Sequence, residues 1–243
     1  MKKDIYLIID TETTTDNKVV DFGAIVCNRK GEILHQCSTL IYGIFGESAL
    51  WYDRGVNTGI WSAQGKDKRM NRYHEMLENG SRILASVNQI NRWLERVRGK
   101  YNPILTAYNL PFDVNKCNNT GIDLTIFSQR FDLWTASFNK WALTNKYKTF
   151  ALENHAFNNR TALGNMTYQT NAEIMAKFIT QENLDDEPHT ALEDIIGYEL
   201  PILVKLINTT TKEDFMNPTQ GFDWRKVQLK DTVSYTHLTL PTN

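Results

Sequence analysis

An almost unbroken apolar run, Ile5-Tyr6-Leu7-Ile8-Ile9, leads directly into Asp10-Thr11-Glu12. A run of this length, rich in isoleucine, reads as a strand buried within a sheet. Residues two apart on a strand project from the same face, so Asp10 and Glu12 should point one way at the strand's end. Val19–Cys27 and Glu32–Tyr42 are the next strand candidates, flanking the turn Asn28-Arg29-Lys30-Gly31. These three strands are expected to form a meander with the paired acids on its central member.

From Gly43 to about Gly80 the periodicity breaks down, although the segment carries Trp51, Tyr52, Trp61 and a basic run of Lys66, Lys68, Arg69 and Arg72. A long irregular connection in a compact domain is usually functional or disordered. One reading is a flap that stacks bases on its aromatics and holds phosphates with its cations. The plainer reading is an insertion whose aromatics cover the core edge and whose charges face water. Ser81–Arg98 follows as a helix capped by Ser81, with Ile83, Leu84, Val87, Ile90, Leu94 and Val97 as its apolar stripe. Pro103–Tyr108 is a short strand leading to Asn109-Leu-Pro-Phe-Asp113. Asn109 is a natural cap there, which puts Asp113 near a helix start just past a strand's carboxyl end, where open α/β sheets bind ligands. A strand over Phe127–Leu133 and helices over Trp134–Leu143, Ala151–Phe157, Asn171–Thr180 and Thr190–Ile207 complete an α-rich second half.

The last of these helices carries the most chemistry. Thr190-Ala-Leu-Glu193 has the form of a capping box, which makes Thr190 the N-cap and Ala191 the first helical residue. His189 and Asp194 then occupy the two positions that meet in a hydrophobic staple. An imidazole beside a carboxylate packs poorly, but it pairs a proton acceptor with a metal ligand.

Composition narrows the alternatives. With 243 residues, 41% of them hydrophobic and 11% aromatic, the chain can bury a core, and a net charge of -1 provides no overall field to attract nucleic acid. Cys27, Cys37 and Cys117 form no CxxC pair and suggest reduced thiols in a cytoplasmic setting. No segment resembles a membrane span or signal peptide. His35, His74 and His155 lack zinc-ligand spacing, and neither a phosphate-cradling glycine loop nor a Gly-x-Ser-x-Gly elbow is present.

Singly, each acid has an ordinary explanation in a solvated turn or a helix dipole. Together, Asp10-Thr-Glu12, Asn109-Leu-Pro-Phe-Asp113 and His189-Thr-Ala-Leu-Glu-Asp194 resemble the three motifs of the DEDDh 3′→5′ exonucleases. That family includes the proofreading subunit of bacterial DNA polymerase III, ribonuclease T and oligoribonuclease. Histidine at 189 and threonine at 190 match its histidine branch rather than its tyrosine branch, while Thr15-Asp16 departs from the Gly-Leu often found there. The resemblance implies an α/β, ribonuclease H-like domain over residues 1–210, with a mixed five-stranded sheet flanked by helices and the 43–80 segment as an insertion. It implies two divalent cations, Mg²⁺ or Mn²⁺, held by Asp10, Glu12, Asp113 and Asp194, with His189 as general base. Thr13, Asn109 and Phe112 would touch the terminal sugar and base. The implied substrate is a single-stranded 3′ end, DNA first, with RNA trimming or short-oligonucleotide degradation as alternatives. The non-enzyme alternative is a nucleic-acid-binding subunit of a polymerase or replication complex, and a phage-encoded origin fits either reading.

Residues 211–232 read as a C-terminal extension. Val233–Thr242 match the translation of a transposase-type sequencing adaptor, so residues 233–243 are expected to be a non-native tail in which His237 has no role.

Overall fold

In the computed structural model, residues 4–160, 165–182, 184–221 and 223–228 are described. The tail from 229 onward, including the adaptor-like segment, lies outside them. The elements in chain order are β1 (Ile5–Thr13), β2 (Val19–Asn28), β3 (Ile33–Ile41), α1 (Ala63–Glu78), β4 (Ile83–Ala85), α2 (Val87–Tyr101), β5 (Ile104–Ala107), α3 (Leu110–Thr120) and β6 (Arg130–Asp132). There follow α4 (Leu133–Ser137), continued by a π-helical turn, α5 (Asn145–Glu153), a hairpin of β7 (Phe157–Arg160) and β8 (Asn165–Tyr168), and α6 (Ala172–Thr180). A final helical stretch comprises α7 (Ala191–Asp194), a π-helical turn (Ile195–Glu199) and α8 (Leu200–Thr209), and α9 (Lys212–Met216) comes after it.

The main sheet is mixed and has six strands, not five, in the order β4-β3-β2-β1-β5-β6. β1 pairs antiparallel with β2 and parallel with β5. The acids therefore lie on the first strand of the meander, not its central one, and reach the middle of the sheet because β5 adds on the other side. Alternation along β1 explains the unbroken apolar run. Tyr6 and Ile8 enter one core layer with the helices of the second half, whereas Leu7 and Ile9 enter the other with α1 and α2. Phe215 of α9 packs against Tyr6 and Phe131, so the C-terminal extension belongs to the same core. Among the described residues no helix is long and apolar enough to cross a membrane.

Several elements differ from the sequence expectations, each for a local reason. The helix placed at Ser81 begins at Val87, because Ser86 and Gln89 form a reciprocal capping box. Ile83 and Leu84 fit the helical stripe but are exposed and pair with Thr39 and Leu40 as a short parallel edge strand. The 43–80 segment contains the 16-residue helix α1, capped by Ser62. Its buried face consists of Gly65, Arg69, Tyr73 and Met76, too few apolar residues to show a stripe. The helix expected at Ala151–Phe157 lies earlier, over Asn145–Glu153 with Thr144 as its cap, and Phe157 opens a hairpin that the sequence reading missed.

The approach of α7 to the sheet depends on one glycine. Gly23 sits opposite Asp10 in the β1–β2 register. A Cβ there would lie 2.5 Å from the Ala191 carbonyl carbon and 2.6 Å from the Leu192 nitrogen. Backbone cannot yield as a flexible side chain does, so Gly23→Ala should cost at least about 1–3 kcal/mol and push α7 outward. Denaturant unfolding of the variant checks this, and wild-type stability would show that α7 is not seated on β2.

Candidate active site

Three distant segments bring their acids to one place. The bulge between Glu12 and Thr13 ends the regular part of β1, leaving Asp10 and Glu12 at its carboxyl end. α3 brings Asp113, whose Oδ1 accepts a 2.7 Å hydrogen bond from the Thr11 hydroxyl. α7 brings Asp194. Together with His189, these residues line a cleft of about 420 Å³ walled by Trp51, Trp61 and Phe112. Ligand atoms of Glu12, His189 and Asp194 all lie within 4.8 Å of one another, so the polar staple forms and takes Glu12 as a third member. Thr13 and Phe112 line this cleft as well, whereas Asn109 lines the cavity next to it.

The caps differ from those expected. Thr190 is at the N-cap position but its hydroxyl makes no capping bond, and Asn109 adopts a left-handed conformation (φ 75°), also without one. Carboxylates from the sheet do the work instead. Asp21 accepts the Ala191 N–H at 3.0 Å, and Asp132 accepts the N–H groups of Asn109 and Leu110, both at 3.0 Å. Glu193 does not reach back to the cap but pairs with Arg82, whose guanidinium also grips Asp21 through Nε and Nη2 at 2.9 and 3.1 Å. The two helices that carry Asp113 and Asp194 are thus pinned to the sheet by carboxyl groups, Asp21 buried and Asp132 half-buried.

His189 has a positive φ of 53°, uncommon for a residue with a side chain, and its ring lines the cleft. The imidazole packs on Trp61 with centroids 4.3 Å apart. Burial, aided by the nearby Arg69 charge, lowers its pKa to about 4, so it is a neutral proton acceptor at pH 7. Arg69 is itself buried beneath Trp61 and lies 3.9 Å from Glu12. The basic run is therefore split in use: Arg69 braces the site, Arg72 donates to the Pro188 carbonyl, and Lys66 pairs with Asp67 at the surface.

Two further acids escaped the sequence reading. Glu187 lines the cleft, and Glu199 is buried close enough for its charge to act on Asp10. Burial and mutual repulsion raise all of these carboxyls: Glu12 to about 8, Asp113 and Glu187 to about 7, Asp194 to about 10, and Asp10 and Glu199 well above the usual range. The signal for Glu187 and Glu199 was weak, since one precedes a proline and the other interrupts an apolar helix.

A pH dependence of stability follows. A carboxyl whose folded pKa is raised contributes stability that is complete below its unfolded value near 4 and is lost as pH climbs through the folded value. His189, with its lowered pKa, costs stability only below its unfolded value of 6.5. Between about pH 7 and 8.5 the raised carboxyls dominate the slope among the described residues, so the metal-free melting temperature should fall across that range. Mn²⁺ should flatten or reverse the trend by neutralising the acids. Thermal melts in EDTA and in Mn²⁺ check this, and a flat EDTA profile would place the acids in solvent.

No family model matches the chain, and no curated protein matches it.

Proposed function

We propose that the chain is a metal-dependent 3′→5′ exonuclease of the DEDDh type, acting on single-stranded 3′ ends and releasing nucleoside monophosphates, with DNA as the substrate. The carrying observation is the convergence of Asp10, Glu12, Asp113, His189 and Asp194, from three distant segments, on one aromatic-walled cleft. The sheet order β3-β2-β1-β5-β6 supports a ribonuclease H-like fold, with β4 as an additional edge strand.

The residues fit divalent cations. Buried carboxylates crowd together beside the buried guanidinium of Arg69, and Asp194 Oδ1 is buried without a hydrogen-bond partner among the described residues. Such an oxygen-rich site suits Mg²⁺ or Mn²⁺, held by Asp10, Glu12, Asp113 and Asp194. Bound there, two cations supply an activated water and neutralise charge developing on the phosphate. His189 accepts the proton of the attacking water, and its low pKa keeps the imidazole unprotonated for the task. Trp61 limits where that ring can go. Phe112 and Trp51 offer faces for the terminal base, and Lys116, seated 4.7 Å over the Phe112 ring, offers a cation to the strand.

Digestion of matched 5′-labelled single-stranded DNA and RNA in Mg²⁺, Mn²⁺ or EDTA tests this reading. A ladder shortening from the 3′ end in metal alone is expected, with His189→Ala slower by about 10²–10⁴-fold. Cleavage that persists in EDTA would sink the reading. Binding without cleavage under either metal would favour the nucleic-acid-binding subunit.

A further inference from the structure

Glu199 is a carboxyl that the four-acid set leaves unused. It closes the π-helical turn after Asp194 and is 3% exposed. Its Oε1 accepts the Tyr108 N–H at 3.3 Å, which fixes the group in place. Its Oε2 is buried and has no hydrogen-bond partner among the described residues. Beyond burial itself, the charges that act on it most are those of two other acids, Asp113 and Glu187. The protein satisfies neither state of such a group. Ionised, Oε2 lacks both a donor and a counter-charge, and protonated, it lacks an acceptor.

The position of Glu199 relative to Asp10 indicates what would satisfy it. Asp10 lines the cleft and also a second cavity of about 420 Å³ beside it. Glu12, His189 and Asp194, whose ligand atoms lie within 4.8 Å of one another, line the cleft, whereas Glu199 lines the second cavity. Asp10 therefore stands between that trio and Glu199. After burial, the Glu199 charge does most to raise the Asp10 carboxyl, ahead of Asp113, Asp194 and Glu12. An acid that acts on Asp10 more strongly than the rest of the set is placed to share a cation with it. We propose that Glu199 is a fifth metal-ligating carboxylate, which joins Asp10 in holding the second divalent cation on the side of Asp10 that faces the second cavity. The inference rests on the metal-binding part of the exonuclease reading above and adds a ligand to it. Mg²⁺ usually keeps several waters and needs only one or two carboxylates, so this pair is sufficient. With two protein ligands, the second cation should bind before any nucleic acid arrives.

The test titrates Mn²⁺ into the full chain without nucleic acid, followed by calorimetry and by electron paramagnetic resonance. The wild type should bind two ions and give the signal of a spin-coupled pair. Glu199→Gln keeps an acceptor for the Tyr108 N–H, so it should fold and keep the first ion. Its affinity for the second should fall by at least about tenfold, because losing even an outer partner of a metal site costs about 10–100-fold, and the coupled signal should disappear. Glu199→Asp, which keeps the charge, should hold the second ion more tightly than Glu199→Gln does. Two ions bound equally well by wild type and Glu199→Gln would overturn the ligand role of Glu199. So would a single ion in the wild type, a result that decides the matter even where the variant does not fold. Either outcome leaves the exonuclease reading to the digestion ladder. A wild type that binds no Mn²⁺ would overturn the metal-dependent reading and the fifth ligand with it.

Discussion

Asp10→Asn is expected to reduce turnover on single-stranded DNA by at least about 10²–10³-fold while raising the melting temperature of the metal-free protein. The two effects have one cause. Asp10 sits where Glu12, Asp113, Asp194 and Glu199 all act on its charge, and burial has already pushed its pKa far up. Ionising it at pH 8 therefore costs free energy, which the folded state supplies and an amide of the same shape does not require. On the proposed exonuclease reading, catalysis would need that anion, because an amide would hold a divalent cation far less well than a carboxylate. Activity in Mn²⁺ and thermal melts in EDTA, both at pH 8, read the two effects separately. An active variant would remove Asp10 from the ligand set. An inactive variant with a lowered melting temperature would mean that Asp10 is structural.

Arg82→Met should destabilise the protein by about 3–5 kcal/mol, the range for breaking a buried ion pair from one side. Arg82 is 1% exposed and Asp21 is fully buried. The guanidinium holds Asp21 by two bonds and Glu193 by two more, at 3.1 and 2.5 Å. Methionine fills much of the same space, so the loss reports the stranded Asp21 charge more than a cavity. Adding Asp21→Asn should recover part of it, since an amide retains an acceptor for the Ala191 N–H without the uncompensated charge. Denaturant midpoints of the single and double variants decide the matter. A single-variant loss under about 1 kcal/mol would mean that water reaches Asp21.

The parts of this molecule that sequence made legible are those whose signals are local. The apolar run before Asp10 marked a doubly covered strand, and the staple positions of His189 and Asp194 foretold that the two would meet, though not that Glu12 would join them. The expected caps failed because Asp21 and Asp132, from β2 and the end of β6, replaced the local hydroxyl and amide at the helix starts. Nothing near Thr190 or Asn109 announces a donor that is distant in the chain. α1 was hidden for a related reason: its inner face spends a position on Arg69, which answers to Glu12 rather than to a hydrophobic core. The sixth strand was lost to a coincidence of spacing, as Ile83 and Leu84 continue the stripe of α2 backwards past its cap.

The π-helical turn at Ile195–Glu199 works as a phase shifter within one length of helix. In an ordinary α-helix, residues five apart point about 140° away from each other. The wider turn, closed from i to i+5, brings them back to nearly one side, as π-bulges do at many functional sites. Asp194 and Glu199 are five apart, both are buried, and the charge of Glu199 acts on Asp194. Beyond the turn, Ile202, Leu203 and Leu206 resume an apolar face that serves only the core. At ordinary α-helical pitch, with the same five-residue spacing, Glu199 would point about 140° away from Asp194 and leave the cluster. The count of acids at this site is therefore set by the pitch of a single turn as much as by which residues the helix carries.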